Sequence, residues 1–337
     1  MSTPCPPLSE LVAWSHEHFP ALDPLACSVE SLTAGGSDRR YFRLSWRQTD
    51  RPTFHLVLML YTLARSDNGK FMAATRTLQN LGVRVPNIHA FDEGRLAIWL
   101  QDLGDVDLYS KRTLPWLERK PLYLDALDQV ARLHRCGANE LDESSLRLLE
   151  PPFDTALYRW EQEYFTQHLL RTHLGVQGDL PKALTEGFDW LREHLAGQER
   201  RLVHRDFQSR NLMVVGDQSV WLIDHQGLRL GLPGYDLASL LYDPYVELSQ
   251  PQRHELLQAH ADNLGLELAE LQMQMLQCAA QRLAQALGAY ANLSHHLGKP
   301  EFARHIPAAL QRLIAVLEQL PALQPAAQWL RQFSTTT

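Results

Sequence analysis

The segment from residue 201 to residue 226 constrains the fold most, because short apolar runs alternate there with polar turns. HRDFQSRN and LIDHQ each begin at or near the end of an apolar run. Between them, LMVV and VWLI have the length and composition of two strands joined by a turn. A hairpin at this point would bring the chain back beside the HRDFQSRN segment, so we expect Asp206, Asn211 and Asp224 to lie close together. The alternative is that these residues serve only in turns and helix caps, which Asp and Asn favour for local hydrogen-bonding reasons.

The composition is that of an ordinary globular protein. The chain has 337 residues, of which 45 % are hydrophobic and 21 % charged, enough for two domains or one two-lobed unit. The net charge of −7 argues against nucleic acid or an anionic membrane as a partner. Four well-separated cysteines argue against a zinc site or a disulfide framework. With no signal sequence and no apolar run long enough to cross a bilayer, we expect a cytoplasmic protein.

The apolar pattern changes near residue 103. The part before it predicts a helix over 9–19, strands at 29–32, 41–46 and 55–61, a helix over 68–82, and strands at 88–94 and 95–101. The part after it predicts helices over 121–135, 155–171 and 181–196 and from 251 onward, interrupted by the small sheet of 202–224. We therefore predict an α+β fold of two lobes, a sheet-rich lobe over 1–103 and a mostly helical lobe over 104–337.

The polar residues around the predicted hairpin suit phosphoryl transfer. Mg²⁺ prefers oxygen ligands and bridges to the phosphates of a nucleotide. A carboxylate close to the attacking hydroxyl orients it and accepts its proton. In protein kinases an HRD sequence with an Asn five residues after the Asp supplies these groups, a later Asp binds the metal, and a glycine-rich hairpin covers the phosphates. Asp206, Asn211 and Asp224 follow this order, and GGSDR at 35–39 lies upstream in a predicted hairpin.

Three stretches of the chain carry a family resemblance. HRDFQSRNLM, LIDHQGLRLGLPGYDLASLLYDPYVEL and QRLAQALGAYANLSHHLGKPEFARHIPAAL resemble the aminoglycoside-phosphotransferase superfamily of small-molecule kinases. They resemble in particular its branch of anomeric N-acetylmuramate/N-acetylglucosamine kinases of cell-wall recycling. The resemblance implies a bilobal, protein-kinase-like fold and ATP- and Mg²⁺-dependent phosphorylation of a small hydroxyl compound.

The resemblance also implies roles for individual residues. Asp206 would be the catalytic base, Asn211 and Asp224 would bind Mg²⁺, and Asp236 would be a buried carboxylate that anchors the catalytic loop. For the narrower branch, the acceptor would be the C1 hydroxyl of an amino sugar. The resulting sugar 1-phosphate would pass to a nucleotidyltransferase.

Several residues are candidates for binding the nucleotide. They are Gly35, Gly36, Ser37 and Arg39 in the first hairpin, and Gln101 and Asp102 in the predicted hinge between the lobes. A cation from the hairpin is expected because the third strand, HLVLMLY, has Met59 where kinases of this fold usually have a Lys. The alternatives are a plain hairpin turn for the two glycines and a cap of the next segment for Asp102.

Other residues are candidates for binding the acceptor, and they leave the substrate open. They are Gln208, Arg210, Gln226, Glu161 and Asp243. For the helix WEQEYF, the alternative is a solvated face with Trp160 and Tyr164 packed in the core. Rival functions are a kinase for another small alcohol, such as an aminoglycoside, choline or homoserine, and a nucleotide-binding scaffold without turnover. An acid-lined acceptor region would favour a cationic substrate, and a neutral polar region would favour a sugar.

Overall fold

The computed structural model describes residues 6–32 and 39–334. The chain divides into two compact units, Met1–Gly69 with Val85–Gly104, and Lys70–Arg84 with Asp105–Thr337. The segment 70–84 therefore packs with the second unit, although it precedes the predicted boundary at residue 103. The division into lobes over 1–103 and 104–337 stays a prediction.

The first unit is a five-stranded antiparallel sheet with one helix. Its elements are α1 (Leu8–His18), β1 (Cys27–Leu32), β2 (Arg40–Gln48), β3 (Arg51–Leu60), β4 (Ile88–Asp92) and β5 (Ala97–Gln101), and the strand order is β1-β2-β3-β5-β4. β1 and β2 pair from Cys27 opposite Trp46 to Leu32 opposite Tyr41, as a hairpin requires. The predicted turn with Gly35, Gly36 and Ser37 lies outside the described residues.

The core of the first unit lies between α1 and one face of the sheet. Leu11 of α1 is fully buried with Leu44, Leu56 and Leu58 of the sheet. Leu44 and Leu56 alternate along their strands with exposed or half-buried neighbours. Burying each such leucine contributes about 1.5–3 kcal/mol. The indole N–H of Trp99 donates to the Ser15 hydroxyl at 2.8 Å, which fixes the position of the helix on the sheet.

The second unit is mostly helical. Its helices are α2 (Phe71–Asn80), α3 (Trp116–His134), α4 (Glu143–Leu148), α5 (Thr155–Phe165), α6 (Lys182–Ala196), α7 (Pro233–Leu241), α8 (Gln250–Leu264), α9 (Leu268–His295), α10 (Ile306–Leu317) and α11 (Gln324–Leu330). Its strands are β6 (Arg201–Val203), β7 (Leu212–Val215), β8 (Ser219–Leu222) and β9 (Arg229–Gly231). β6 pairs with β9 and β7 pairs with β8, both antiparallel, so the hairpin predicted from LMVV and VWLI is confirmed.

The long helix α9 passes close to two other helices of the second unit. A Cβ atom built on Gly288 would lie 2.8 Å from Cδ1 of Tyr164 and 3.0 Å from the backbone nitrogen of Phe165. A Cβ on Gly234 of α7 would meet the backbone of Gln274 at 3.0 Å. Because glycine has no Cβ atom, the backbones of α5 and α7 can approach that of α9 closely at these two positions.

Candidate active site

The loop between β6 and β7 contains the HRD sequence and is anchored from α7. The fully buried carboxylate of Asp236 accepts the backbone N–H groups of His204 and Arg205, both at 2.8 Å. Its Oδ2 also lies 3.2 Å from Nε2 of His134, whose Nδ1 is 3.0 Å from Nε2 of His260. A buried carboxylate with three hydrogen-bond partners is a rigid support, because losing any partner leaves charge unsatisfied.

Two residues of this region have a left-handed backbone, Arg205 in this loop and Asp224 in the segment that follows β8. Arg205 has φ of 77° and Asp224 has φ of 59°, which side-chain-bearing residues rarely adopt. The Ser239 hydroxyl donates to the Arg205 carbonyl at 3.3 Å, and His204 Nε2 lies 3.1 Å from the Ile223 carbonyl. Such strain persists where the surroundings determine the backbone conformation, and it is concentrated at functional sites.

Hydrogen bonds bring Asp206, Asn211 and Asp224 to one place, as the hairpin predicted. The side-chain amide of Asn211 donates to the Asp206 backbone carbonyl at 2.9 Å. The backbone N–H of Ile223 donates to the Asn211 carbonyl at 3.0 Å, so that Asp224 follows directly after this contact. Gln226 Nε2 then donates to Oδ1 of Asp224 at 3.1 Å.

The oxygens at this place fit a hard divalent cation. Because Asn211 uses its amide nitrogen on a carbonyl, its amide oxygen is turned away from that bond, and Asp224 adds a partly exposed carboxylate. Magnesium is held in proteins by one or two such groups together with phosphate oxygens and water. Among the described residues, no group of three or more His, Cys, Asp or Glu side chains has the arrangement of a metal-binding cluster.

Two arginines flank the carboxylate of Asp206. Nη1 of Arg205 lies 3.7 Å from Oδ2 and Nη2 of Arg282 lies 3.6 Å from Oδ1. Burial on its own raises the pKa of Asp206, but the positive charges of Arg205 and Arg282 outweigh it and lower the pKa below the usual 3.8. About a quarter of the side chain, 27 %, remains exposed. An ionised, accessible carboxylate beside two cations can accept a hydrogen bond from an incoming hydroxyl.

Arg282 and Arg229 are the functional candidates that sequence reasoning missed. Arg282 projects from α9, and its position is fixed by hydrogen bonds from Nε to the Ser239 hydroxyl at 3.2 Å and from Nη1 to Gln285 at 2.6 Å. The buried Arg229 donates to the Gly227 carbonyl at 3.0 Å and also lowers the pKa of Asp206. The available signal for Arg282 was a lone arginine in an otherwise uncharged helix segment, QRLAQALGAY.

The acceptor candidates near the loop differ in accessibility. Gln208 is half-buried and its backbone N–H donates to the Asp206 carbonyl at 2.9 Å. Gln226 is buried against Asp224, with its carbonyl oxygen lacking a hydrogen-bond partner. Arg210 is exposed, and its guanidinium lies 4.0 Å from the ring centre of Tyr109.

The two acidic acceptor candidates are buried. Glu161 accepts hydrogen bonds from the Tyr235 hydroxyl and Gln281 Nε2, both at 3.0 Å, and burial raises its pKa. Asp243 accepts the backbone N–H groups of Ser209 at 2.8 Å and Tyr245 at 2.9 Å. Both carboxylates thus support the structure around the loop, and a contact with the acceptor stays a prediction for each.

The alternative given for WEQEYF, a solvated face with Trp160 and Tyr164 in the core, is wrong. Trp160, expected in the core, is 49 % exposed, while Glu161, expected on a solvated face, is buried. The inward face of α5 instead carries Tyr158, Gln162 and Phe165. Gln162 and Glu161 both bond to Gln281 of α9, and this polar pairing outweighs the hydrophobicity of the tryptophan.

The first-unit candidates for nucleotide binding make internal contacts. Arg39 is 2 % exposed and donates to Asn68 at 2.7 Å and Asp67 at 3.2 Å. Asp102 forms a two-bond ion pair with Arg43, at 2.6 and 3.0 Å, and accepts the Gly104 N–H at 2.8 Å. Burial raises the pKa of Asp102, and these partners lower it to a net value below 3.8.

The remaining hinge candidate, Gln101, ends β5. Its side-chain oxygen accepts the side-chain amide of Asn87 at 3.0 Å. For Arg39, Gln101 and Asp102 alike, nucleotide contact stays a prediction.

Residues 28–271 match the phosphotransferase enzyme family, and this match covers most of the chain. The chain belongs to that family and is an ATP-dependent small-molecule kinase. It is 28 % identical over 311 residues to the N-acetylmuramate/N-acetylglucosamine kinase of Pseudomonas aeruginosa, covering 86 % of this chain and 84 % of that protein. The protein of the same name from Pseudomonas putida is 28 % identical over 308 residues, covering 87 % and 85 %.

A solved structure shares the fold. The ADP-bound aminoglycoside phosphotransferase APH(2'')-Ib superposes with a TM-score of 0.60 at 14 % identity, over 90 % of this chain and 98 % of that chain. The predicted α+β, protein-kinase-like fold is therefore confirmed. None of the helices within the described residues is both long enough and apolar enough to span a membrane.

Proposed function

We propose that the chain is an ATP- and Mg²⁺-dependent amino-sugar kinase that phosphorylates the anomeric hydroxyl of N-acetylglucosamine or N-acetylmuramate. The observation that carries the proposal is the convergence of Asp206, Asn211 and Asp224 through the hydrogen bonds of one loop and one hairpin. The names of the relatives from two Pseudomonas species support the substrate. Because the reaction would consume ATP, we further propose that it takes place in the cytoplasm.

In this mechanism Asp206 orients the acceptor hydroxyl. The hydroxyl oxygen forms a bond to the γ-phosphorus of ATP, its proton passes to the Asp206 carboxylate, and the bond to the β-phosphate oxygen breaks to release ADP. The lowered pKa keeps Asp206 ionised near neutral pH, so it is ready to accept a hydrogen bond. The products are ADP and a sugar 1-phosphate, which a downstream nucleotidyltransferase would consume.

We assign Asn211 and Asp224 to the metal and the arginines beside Asp206 to the transferred phosphoryl group. Bound Mg²⁺ would supply charge neutralisation of the phosphates. Met59 is buried in β3, so no cation reaches the nucleotide from that position. Arg205 and Arg282 are the cations nearest the proposed base and are suited to stabilise negative charge on the phosphoryl oxygens.

The nucleotide would be covered by residues of the first unit. We retain Gly35, Gly36, Ser37 and Arg39 for the phosphates, and Gln101 and Asp102 for the adenine, as proposals from the order of motifs. The buried ion pairs of Arg39 and Asp102 favour a supporting role for both side chains, with backbone groups making the contacts to nucleotide.

The rival substrates carry a positive charge, and the surroundings of Asp206 disfavour them. An aminoglycoside or choline would need carboxylates to receive its ammonium groups, whereas the charged side chains nearest Asp206 are arginines. A scaffold without turnover would have little physical reason to keep the three oxygen-bearing side chains together. A neutral or acidic acceptor therefore fits best.

The proposal is tested by ADP release over a panel of amino sugars, aminoglycosides and amino alcohols, with the phosphorylated position read by phosphorus NMR. We expect N-acetylglucosamine and N-acetylmuramate to be the preferred acceptors. We also expect Asp206→Asn to lower kcat by a factor of about 10²–10⁴, because the proton acceptor is lost, while ATP binding measured by calorimetry is kept.

The matched control is Asp217→Asn, which alters an exposed carboxylate in the β7–β8 turn and should leave turnover unchanged. Wild-type turnover by Asp206→Asn would exclude Asp206 as the base. Preferred turnover of an aminoglycoside or choline would exclude the amino-sugar assignment.

A further inference from the structure

A cluster of tyrosines and arginines lies beside the proposed catalytic loop. We call it the Tyr–Arg cluster, and its members are Tyr109, Arg112, Arg210, Tyr245, Tyr290 and His305. The guanidinium of Arg210 lies 4.0 Å from the ring centre of Tyr109 and 5.1 Å from that of Tyr245. The guanidinium of Arg112 approaches the same Tyr109 ring at 4.0 Å. Two like charges thus share one aromatic ring.

These two arginines are exposed and lack a carboxylate partner. Among the described residues, no ion pair within 4 Å includes Arg112 or Arg210, whereas Arg205 and Arg282 both approach Asp206. Nη1 of Arg112 donates to the Tyr109 carbonyl at 3.2 Å, which fixes this guanidinium in place. Cation–π contact with tyrosine orients a guanidinium and leaves the N–H groups at its outer edge able to bind a ligand. In a chain of net charge −7, this local concentration of positive charge favours an anionic ligand.

One buried carboxylate fixes the cluster to the catalytic loop. Asp243 accepts the N–H of Ser209, which precedes Arg210, through one oxygen, and the N–H of Tyr245 through the other. Arg210 is also only four residues from Asp206 along the loop. The cationic edge and the proposed base are therefore parts of one rigid arrangement.

The aromatic rings extend from this edge toward Arg282. Tyr245 lies edge-on to His305 with ring centres 4.8 Å apart and 6.1 Å from the ring of Tyr290. Tyr290 and Arg282 are eight residues apart on α9, so they share a face and are separated by about 12 Å along its axis. Tyr290 is buried and supports the half-buried ring of Tyr245, and the amphipathic rings of Tyr245 and Tyr109 suit the apolar face of a sugar.

We propose that the Tyr–Arg cluster is an acceptor subsite that binds a carboxylate substituent on the sugar, with Arg210 and Arg112 as the specificity-determining residues. The inference rests on the proposed amino-sugar kinase function and adds that the acidic acceptor is preferred over its neutral counterpart. N-acetylmuramate and N-acetylglucosamine form the matched pair, because they differ by one lactyl ether that carries the carboxylate. A guanidinium can bind this group through two parallel hydrogen bonds.

The test compares kcat/KM for the two sugars in the wild type, Arg210→Gln and Arg112→Gln. We expect the wild type to prefer N-acetylmuramate. We expect Arg210→Gln to lower the ratio of the two kcat/KM values about tenfold, mainly through KM for N-acetylmuramate, since a charge-assisted hydrogen bond is lost. Arg210→Lys keeps the charge and should restore part of the ratio. The control is Arg253→Gln. Arg253 of α8 stacks on Tyr242 at 4.9 Å, and its substitution should leave the ratio of the two kcat/KM values unchanged.

The outcomes separate the subsite from the proposed function. Turnover of both sugars with an unchanged ratio in Arg210→Gln overturns the subsite and leaves the kinase assignment standing. A raised KM for ATP with an unchanged ratio also overturns it, because the arginine would then bind a nucleotide phosphate. If the wild type phosphorylates neither sugar, the proposed function fails. Calorimetric binding of N-acetylmuramate then decides the subsite: weaker binding to Arg210→Gln supports it, and equal or absent binding overturns it.

Discussion

At the scale of single residues, the charge on Asp206 is stabilised by two cations, one adjacent to it in the chain and one far from it. Arg205 is its neighbour in the chain, whereas Arg282 comes from α9, 76 positions further along. Both stabilise the ionised carboxylate against the cost of burial. If these guanidinium groups also bind phosphoryl oxygens, as proposed, nucleotide binding and the pKa of Asp206 are coupled.

Arg282→Gln is predicted to raise the pKa of Asp206. Removing a positive charge 3.6 Å from Oδ1 destabilises the carboxylate relative to its protonated form. The acid limb of the pH profile of kcat/KM, below which Asp206 is protonated and turnover is lost, should therefore move to higher pH. The measurement is the pH profile of kcat/KM for the wild type, Arg282→Gln and Arg282→Lys with N-acetylglucosamine as the acceptor.

Arg282→Lys provides the comparison because it keeps the positive charge. Its acid limb should stay close to that of the wild type. An acid limb that does not move in Arg282→Gln would mean that Asp206 is not the titrating group.

How far the sequence predicts the site depends on the distance between its parts along the chain. Asp206, Asn211 and Asp224 fall within one motif and one hairpin, so their convergence followed from local spacing. Arg282 could not be placed, because only tertiary packing brings α9 to the loop. The burial of Glu161 was missed because it depends on partners, Tyr235 and Gln281, that the helix pattern does not reveal.

At the scale of elements, the close contact of α9 with α5 depends on glycine. Gly288→Ala is predicted to lower the free energy of unfolding by about 1–3 kcal/mol, because the new methyl group would meet Tyr164 and the backbone of Phe165 at 2.8–3.0 Å. This loss exceeds the roughly 1 kcal/mol that alanine gains over glycine inside a helix. Urea unfolding followed by circular dichroism measures the difference.

Gly187→Ala in α6 is the matched control. Its nearest neighbour would be Cδ2 of Leu323 at 3.0 Å, the end of a flexible side chain that can move. The change should therefore be close to zero or stabilising. Equal destabilisation by the two substitutions would show that helix contact distance does not set the effect.

Most elements were predicted, but α4, α7 and β9 were missed, and the other errors lie at the ends of elements. The helix expected over 68–82 is α2, Phe71–Asn80, preceded by the short 3₁₀ segment Ser66–Lys70. The strand expected at 55–61 begins earlier, at Arg51, where exposed residues lack the apolar pattern of the buried half. The packing of α2 with the second unit has no sequence signal, since it depends on contacts such as that between Thr75 and His225 at 2.7 Å.

At the scale of the whole molecule, buried histidine links folding to pH. Burial lowers the pKa of His260 well below 6.5, and the positive charges of His134 and Arg135 lower it further. Below about pH 6.5 the unfolded chain therefore takes up a proton that the folded chain does not. Stability is present in full above this pH and falls by up to about 1.4 kcal/mol per pH unit below it.

His260→Asn is predicted to flatten this dependence. The free energy of unfolding between pH 7.5 and 5.5 should fall less steeply than in the wild type, although the variant is less stable at pH 7.5 because the bond to His134 changes. His254→Asn, on an exposed position of the same helix α8, should keep the wild-type slope. Identical slopes in all three proteins would exclude His260 as the titrating group.

Arg205 in the HRD loop and Asp224 after β8 both have backbone conformations that side-chain-bearing residues rarely adopt. Glycine would relieve the positive φ at Arg205 and Asp224, each of which costs about 1–3 kcal/mol with its present side chain. Selection for resistance to heat would therefore favour glycine at both positions and delete the groups assigned to the phosphoryl and the metal. At these two residues, higher thermal stability would therefore come at the expense of turnover. The carboxylate of Asp236 holds the backbone at His204 and Arg205 and so keeps the strained conformation of Arg205 in the folded protein.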